Sequence, residues 1–252
     1  VNMGSGNKKI KAAGIQKGTA IKLFDKVDVL FAGISPEASV SITNNWDDEY
    51  LSGLTFTADK DSGISFGESV KVTCTASYED IARHGFLADN VEQSYNADRL
   101  PGFTTDVSQI DKKIVEQVKK EVLETIASET SSNTFHMLYK ATKDASFLYH
   151  VNNETCTDSK LKGVYFLSGN GKQTDVNNYI YVFASAVISD SEDSRTIYFA
   201  FSYSNTYINV DGTFDMNHDN ENKRYVCSDN YEKLYEECVG SKSNSYSINE
   251  IR

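Results

Sequence analysis

Leu23-Phe24-Asp25-Lys26-Val27-Asp28-Val29-Leu30-Phe31 opens the stretch on which the reading of this chain turns, and Leu100-Pro101-Gly102-Phe103 closes it. Between them, apolar and polar residues alternate at Val27, Val29 and Phe31, at Val40 and Ile42, at Leu54 and Phe56, and at Val70 and Val72. A period of two marks strands that turn one face to a core and the other to water. Turn-forming residues separate the runs: Gly33-Ile34-Ser35-Pro36, Asp59-Lys60-Asp61-Ser62-Gly63 and Phe66-Gly67-Glu68, where Gly, Pro, Asp and Ser each favour a reversal. The expectation is an all-β sandwich of immunoglobulin-like kind over residues 21–104. A helical turn at Tyr78–Gly85 and a closing strand at Leu100–Phe103 complete it, and residues 1–20 form a leader or the tail of a preceding module.

Beyond it the period changes. Ile110, Ile114, Val118, Val122 and Ile126 recur every fourth residue within Asp106–Ser128, and Val115 and Leu123 widen the stripe. That pattern predicts an amphipathic helix, with Ser108 and Asp111 as a capping box at its start. A helix of this length is marginal in water without a partner. Lys162–Leu167, Asn178–Ile188 and Arg195–Val210 supply one, as strands rich in Tyr, Phe, Val and Ile. Residues 105–252 are therefore expected to form an α+β domain, its long helix packed on an antiparallel sheet. Tyr231–Cys238 reads as a short helix and Tyr246–Ile251 as a last strand or tail.

The 252 residues, 39% hydrophobic and 12% aromatic, suffice for buried cores in about two domains. A net charge of −11 speaks against nucleic acid, whose phosphates need clustered Lys and Arg. The densest basic run, Lys8-Lys9-Ile10-Lys11, is too short to outweigh it. No run of about 18 apolar residues is present for a membrane helix, so no direct membrane insertion is expected of this sequence. A monomer is expected, because no heptad seam or large exposed apolar run stands out. Cys74, Cys156, Cys227 and Cys238 lack the short paired spacing of a zinc site. Cys74 reads as a small buried hydrophobe in phase with Val70 and Val72, and a disulfide among the other three stays open.

Motifs for chemistry are sparse. His84, His136, His150 and His218 are scattered, and Lys140 stands four residues after His136 where a second zinc ligand would be. The one Gly-x-Ser-x-Gly, Gly63-Ile64-Ser65-Phe66-Gly67, lies among turn residues and leads into the strand at Val70 and Val72, not into the helix of a nucleophile elbow, and Gly169-Asn170-Gly171-Lys172 reads as a hairpin turn. Asp215, Asn217, Asp219 and Glu221 alternate like the first half of a calcium loop, but Asn220 and Val226 replace its glycine and closing glutamate. A solvated acidic turn is the simpler account, there and at Trp46-Asp47-Asp48-Glu49 and Asp59-Lys60-Asp61. Tyr179, Tyr181, Tyr203 and Tyr207 form the candidate ligand-binding set, since tyrosines on a sheet face stack sugars or peptides. The simpler alternative is that Tyr has high β-propensity. No cofactor is expected.

Leu23–Val29 with Phe31–Pro36, Ile64–Thr73, Tyr78–Gly85 and Leu100–Phe103 resemble a repeat of uncharacterised extracytoplasmic surface proteins of Firmicutes. Asn178–Ile188 and Arg195–Asp215, with Val210-Asp211-Gly212-Thr213 inside, resemble the C-terminal domain of the same proteins. The match spans most of residues 20–220 in short words. Members carry a zinc ribbon and one transmembrane helix ahead of such modules. The resemblance thus implies an extracytoplasmic address, held to the cell membrane by a segment outside this sequence. It implies no activity. The function expected is a non-enzymatic cell-surface module: a spacer carrying a domain that binds or senses an envelope or extracellular partner, glycan or protein. The alternative is an envelope hydrolase acting on cell-wall glycan or peptide, which would need two facing carboxyl groups.

Overall fold

In the computed structural model, which describes residues 18–131, 136–149, 153–172, 175–216 and 224–252, the alternating runs become short paired strands. The chain divides into two compact units between Leu100 and Pro101. The first contains β1 (Thr19–Ile21), β2 (Val27–Ala32), β3 (Ser39–Asn44), α1 (Glu49–Ser52), β4 (Phe56–Ala58), β5 (Ser69–Cys74), α2 (Tyr78–Arg83), β6 (Phe86–Ala88) and β7 (Glu92–Asn96). β2 and β3 form one antiparallel pair, β4-β5-β7 a three-stranded antiparallel sheet, and β1 lies parallel to β6. Val27 of β2, Val72 and Cys74 of β5, Leu51 of α1 and Ile81 of α2 share one core, with Ile42 and Phe56 packed against it.

The acidic runs here are more than solvated turns. Asp48 accepts the Tyr50 and Leu51 N–H groups and starts α1, while Asp47 pairs with Lys26. Trp46 donates its indole N–H to the Leu23 carbonyl at 2.9 Å, and Asp59 accepts the Lys71 N–H at 2.9 Å. Ser77 and Asp80 form a reciprocal capping box on α2.

The second unit runs β8 (Gly102–Phe103), α3 (Lys112–Ser131), α4 (Met137–Thr142), β9 (Thr155–Gly169), β10 (Asn178–Ser189), β11 (Ser194–Ser204), β12 (Tyr207–Ile208), β13 (Phe214–Asp215), β14 (Arg224–Ser228), α5 (Tyr231–Cys238) and β15 (Tyr246–Glu250). The architecture of the described residues is mixed α and β: several small sheets and one five-stranded antiparallel sheet in the order β14-β11-β10-β9-β15. Gly102–Phe103 does not close the first sheet system; it pairs with β12, which also pairs with β13.

The large sheet is buried on both faces. Along β10, Ile180, Val182, Ala184, Ala186 and Ile188 face one way and join the core beneath α3. Tyr179, Tyr181 and Phe183 face the other way, toward α5. Val115, Val118, Val122 and Ile126 of α3 are buried against the first face, while Ile114 and Leu123 flank them half-buried. The helix thus uses its i, i+3, i+7, i+11 positions, a stripe rotated from the strict four-residue ladder. Its start also differs from expectation. Asp106 and Gln109 box a short 3-10 turn at Val107–Gln109, and Asp111, not Ser108, caps α3 by accepting the Lys113 N–H at 2.8 Å.

The predicted strand Arg195–Val210 is broken at Asn205, whose φ of +54° ends β11 before β12. Asn178, fully buried, ties the pieces together. Its amide donates to the Thr104 and Thr206 carbonyls at 2.8 Å each and accepts from the Thr206 N–H at 2.8 Å and hydroxyl at 3.0 Å. α4 and β14 had no sequence signal. All four cysteines are free thiols; Cys156 and Cys227 lie on the α3 side of the sheet and Cys238 on the α5 side.

A candidate ligand cavity at the sheet edge

α4 begins where a carboxylate meets it: Glu154 accepts the Met137 and Leu138 N–H groups at 2.6 and 2.9 Å, opposite the positive end of the helix. It ends at Lys143, whose left-handed backbone (φ 63°) returns an N–H to the Tyr139 carbonyl. Beside it runs β14, an edge strand of the five-stranded sheet. α5 follows directly, with Asn230 accepting the Lys233 N–H as its N-cap. These three elements wall a cavity of about 240 Å³, lined by Lys140, Lys143, Lys233, Tyr225, Cys227, Ser228, Asp229 and Glu237 among others.

One of the lysines is fixed. The Lys140 ammonium lies 3.9 Å from the centre of the Tyr225 ring, a cation–π geometry, and also donates to the Tyr225 hydroxyl at 2.7 Å. That hydroxyl in turn donates to Glu129 of α3. Burial first, and then the Glu129 carboxylate, raise the Tyr225 hydroxyl above the ordinary tyrosine range, so it stays a neutral donor. Cys227 is pushed up to about 11 by burial, opposed by the charges of Lys140 and Lys143. It is a thiol, not a thiolate, and its sulfur sits 4.0 Å from that of Met137. Among the described residues, Lys143 and Lys233 make no ion pair.

Nothing in the sequence pattern marks this cluster, because its lysines come from two segments some ninety residues apart in the chain. Only the folding of α4 and α5 against β14 brings them together.

The tyrosines singled out from sequence are not brought together as one set. Tyr179 and Tyr181 stack on the α5 side with centroids 5.5 Å apart, inside an aromatic layer with Tyr165, Phe183, Tyr198, Tyr231, Tyr235 and Tyr246. Tyr181 is only 6% exposed, and burial raises its hydroxyl above the usual range. Tyr203 lies on the opposite face, 1% exposed beneath α3, its hydroxyl without a partner among the described residues. The period-two reading explains this: in β11, Ile197, Phe199, Phe201 and Tyr203 share a face, while Tyr207 falls beyond the break at Asn205, in β12. Tyr207 donates its hydroxyl to Asp215 at 3.2 Å. Asp215 is thus a β13 residue with a structural partner; Asn217, Asp219 and Glu221 lie outside the described residues.

Of the histidines, His84 stacks on Tyr50 with centroids 3.7 Å apart and His136 precedes α4 as its N-cap residue. His150 and His218 lie outside the described residues. Among the described residues no three His, Cys, Asp or Glu side chains are placed to hold a metal ion, and no helix is long and apolar enough to cross a membrane. The chain matches no protein-family model, none of the curated proteins and no solved structure. The functional reading therefore stands on the residues and on this geometry.

Proposed function

We propose that the chain is a non-enzymatic binding module of the cell envelope, built as two domains. The first, residues 21–104, is a small immunoglobulin-like β-sandwich that acts as a spacer. Side chains of β2, β3, β4 and β5 meeting in one core support this. The second, residues 105–252, carries the binding site. Its address is extracytoplasmic, which the resemblance of short sequence words to Firmicute surface proteins supports, and its partner is an envelope or extracellular glycan or protein.

The observation that carries the reading is the cavity between α4, β14 and α5. It has the recessed form of a ligand site, and the groups around it hold and orient. Lys140 is pinned by Tyr225, and the Cys227 thiol is held neutral by burial, which leaves it a poor nucleophile. The test is to add soluble cell-wall glycan and peptide fragments to the intact chain, following amide NMR shifts and analysing the fragments by mass spectrometry. Saturable shifts in α4, β14 and α5 with intact fragments are expected. Fragment cleavage would overturn the non-enzymatic reading in favour of an envelope hydrolase.

A further inference from the structure

We propose that the α4–β14–α5 cavity binds a small phosphoryl-bearing anion, with Lys143 and Lys233 as its direct ligands and Lys140 as a fixed charge behind them. This rests on the reading of the second unit as a binding domain and names what its site takes. In a chain of net charge −11, three of the charged residues lining this cavity are lysines and two are carboxylates, Asp229 and Glu237, a local excess of one positive charge. At the cavity wall Cys227 feels both signs: Lys140 and Lys143 favour its thiolate form, and Glu129 and Glu154 oppose it.

The residue types narrow the ligand. Among the described residues no arginine lines the cavity, so the forked, bidentate recognition that suits a planar carboxylate is missing from them. Lysine ammonium groups act as point charges and suit a phosphoryl group approached from several sides. Their stems and the Tyr225 ring leave apolar surface for whatever carries the phosphate. The volume of about 240 Å³ equals roughly eight waters at about 30 Å³ each, which fits a phosphoryl group and a small substituent. Lys143 is held at the α4 terminus by its backbone and Lys233 in the first turn of α5, so both approach from rigid elements while their heads remain exposed. Glu237 follows Lys233 by one helical turn and competes with the anion for it.

The experiment titrates the intact chain with inorganic phosphate, and separately with acetate, at constant ionic strength, reading amide shifts by NMR. The expected result is saturable movement of residues 140–143, 225–229 and 233–237, tighter for phosphate than for acetate. Lys143→Gln and Lys233→Gln, both exposed and compatible with the fold, should each weaken phosphate binding roughly tenfold, while Glu237→Gln should strengthen it. Shifts that never saturate, or that follow lysines elsewhere on the surface equally, overturn the site, as does a Glu237→Gln variant that binds more weakly. Two outcomes separate this inference from the module reading. If uncharged wall fragments saturate the same amides and phosphate does not, the anion site fails and the module stands. If phosphate binds but wall fragments are cleaved, the anion site stands and the non-enzymatic reading fails.

Discussion

The two faces of the five-stranded sheet are built from the same strands and have little else in common. Beneath α3 the side chains are mostly aliphatic and phenylalanine, among them Ile180, Val182, Ile188, Val164, Phe166, Phe199 and Phe201, with Tyr203 and the half-buried Tyr225 as exceptions. On the α5 side they are mostly tyrosines, with ring centroids from 5.2 to 6.3 Å apart in edge-on, stacked and tilted pairs. The difference follows from what covers each face. α3, a helix of 20 residues, covers β9 and β10, and α4 covers β11 and β14, so between them they keep water off this face and most residues beneath need no polar atoms. A helix of 8 residues leaves margins, and a tyrosine suits a margin because its ring packs while its hydroxyl meets water or a carbonyl. Lys162 and Lys242 add to that rim, their ammonium groups 5.7 and 5.6 Å from the Tyr198 and Tyr179 rings. One face is organised for stability, and the other tolerates solvent close to α5 and its cavity.

If this contrast holds, truncation beneath α3 should produce the largest losses. Ile126→Ala should cost ~2–5 kcal/mol in denaturant unfolding, the transfer and cavity terms of a buried isoleucine. Leu123→Ala should cost less, because Leu123 sits half-buried beside the stripe, and Lys120→Ala on the outer surface should stay within about 0.5 kcal/mol. Equal losses at positions 123 and 126 would mean the helix is rotated from the orientation described.

Next in size comes Asn178→Ala. Asn178 stands at the start of β10, and the substitution leaves the buried Thr206 N–H and the Thr104 carbonyl without their partner, while the Thr206 carbonyl keeps the Thr104 N–H at 2.9 Å. Each such group costs ~1–3 kcal/mol when it cannot reach water. The loss should appear in equilibrium unfolding, and hydrogen exchange should quicken first at Thr104 and Thr206. Unchanged protection there would show that the Asn178 amide is not what joins β8 and β12 to the sheet.

What the sequence made legible and what it hid divide along the same line. The α3 stripe, the strands β2, β3 and β5, and the helices α2 and α5 are visible because burial on one side imposes a period, while β10 and β11, buried on both faces, are visible as near-continuous apolar runs. The first half of β9, Thr155–Leu161, is largely exposed and lies outside the predicted strand Lys162–Leu167, yet it pairs along β10 from Thr155 to Lys160. The break at Asn205 is a backbone event, a left-handed residue permitted to asparagine, and it moved Tyr207 away from Tyr203. The cavity was hidden for a different reason. Its lysines, Tyr225 and Cys227 have no periodic relation, and a site assembled from α4, β14 and α5 leaves no local pattern.

Tyrosine ionisation offers a readout on both faces at once. Burial raises the hydroxyls of Tyr181 and Tyr231 on the α5 side and of Tyr203 beneath α3. A raised value in the folded state means the unfolded chain gives up these protons first. The stability they confer is therefore complete below the ordinary tyrosine value near 10 and declines as pH rises above it. Ultraviolet titration should show part of the tyrosines ionising late and together with loss of structure. A single smooth transition near pH 10 with the fold intact would place these rings in water.

The smallest effects should differ in sign between the faces, and so they test the contrast most sharply. Tyr246 on the α5 side donates its hydroxyl to the Val176 carbonyl at 2.6 Å. Tyr246→Phe removes that bond and should destabilise by ~0.5–1.5 kcal/mol. Tyr203, 1% exposed beneath α3, carries a buried hydroxyl with no partner among the described residues, so the fold desolvates it for no hydrogen bond from them in return. Tyr203→Phe keeps the ring, removes the stranded oxygen and should leave stability unchanged or raise it by up to ~1–3 kcal/mol. Midpoints and slopes from denaturant melts of the two variants, measured side by side, decide the matter. Loss at position 203 as large as at position 246 would mean that the hydroxyl beneath α3 does have a partner, and the α3 face would be less purely apolar than its residues indicate.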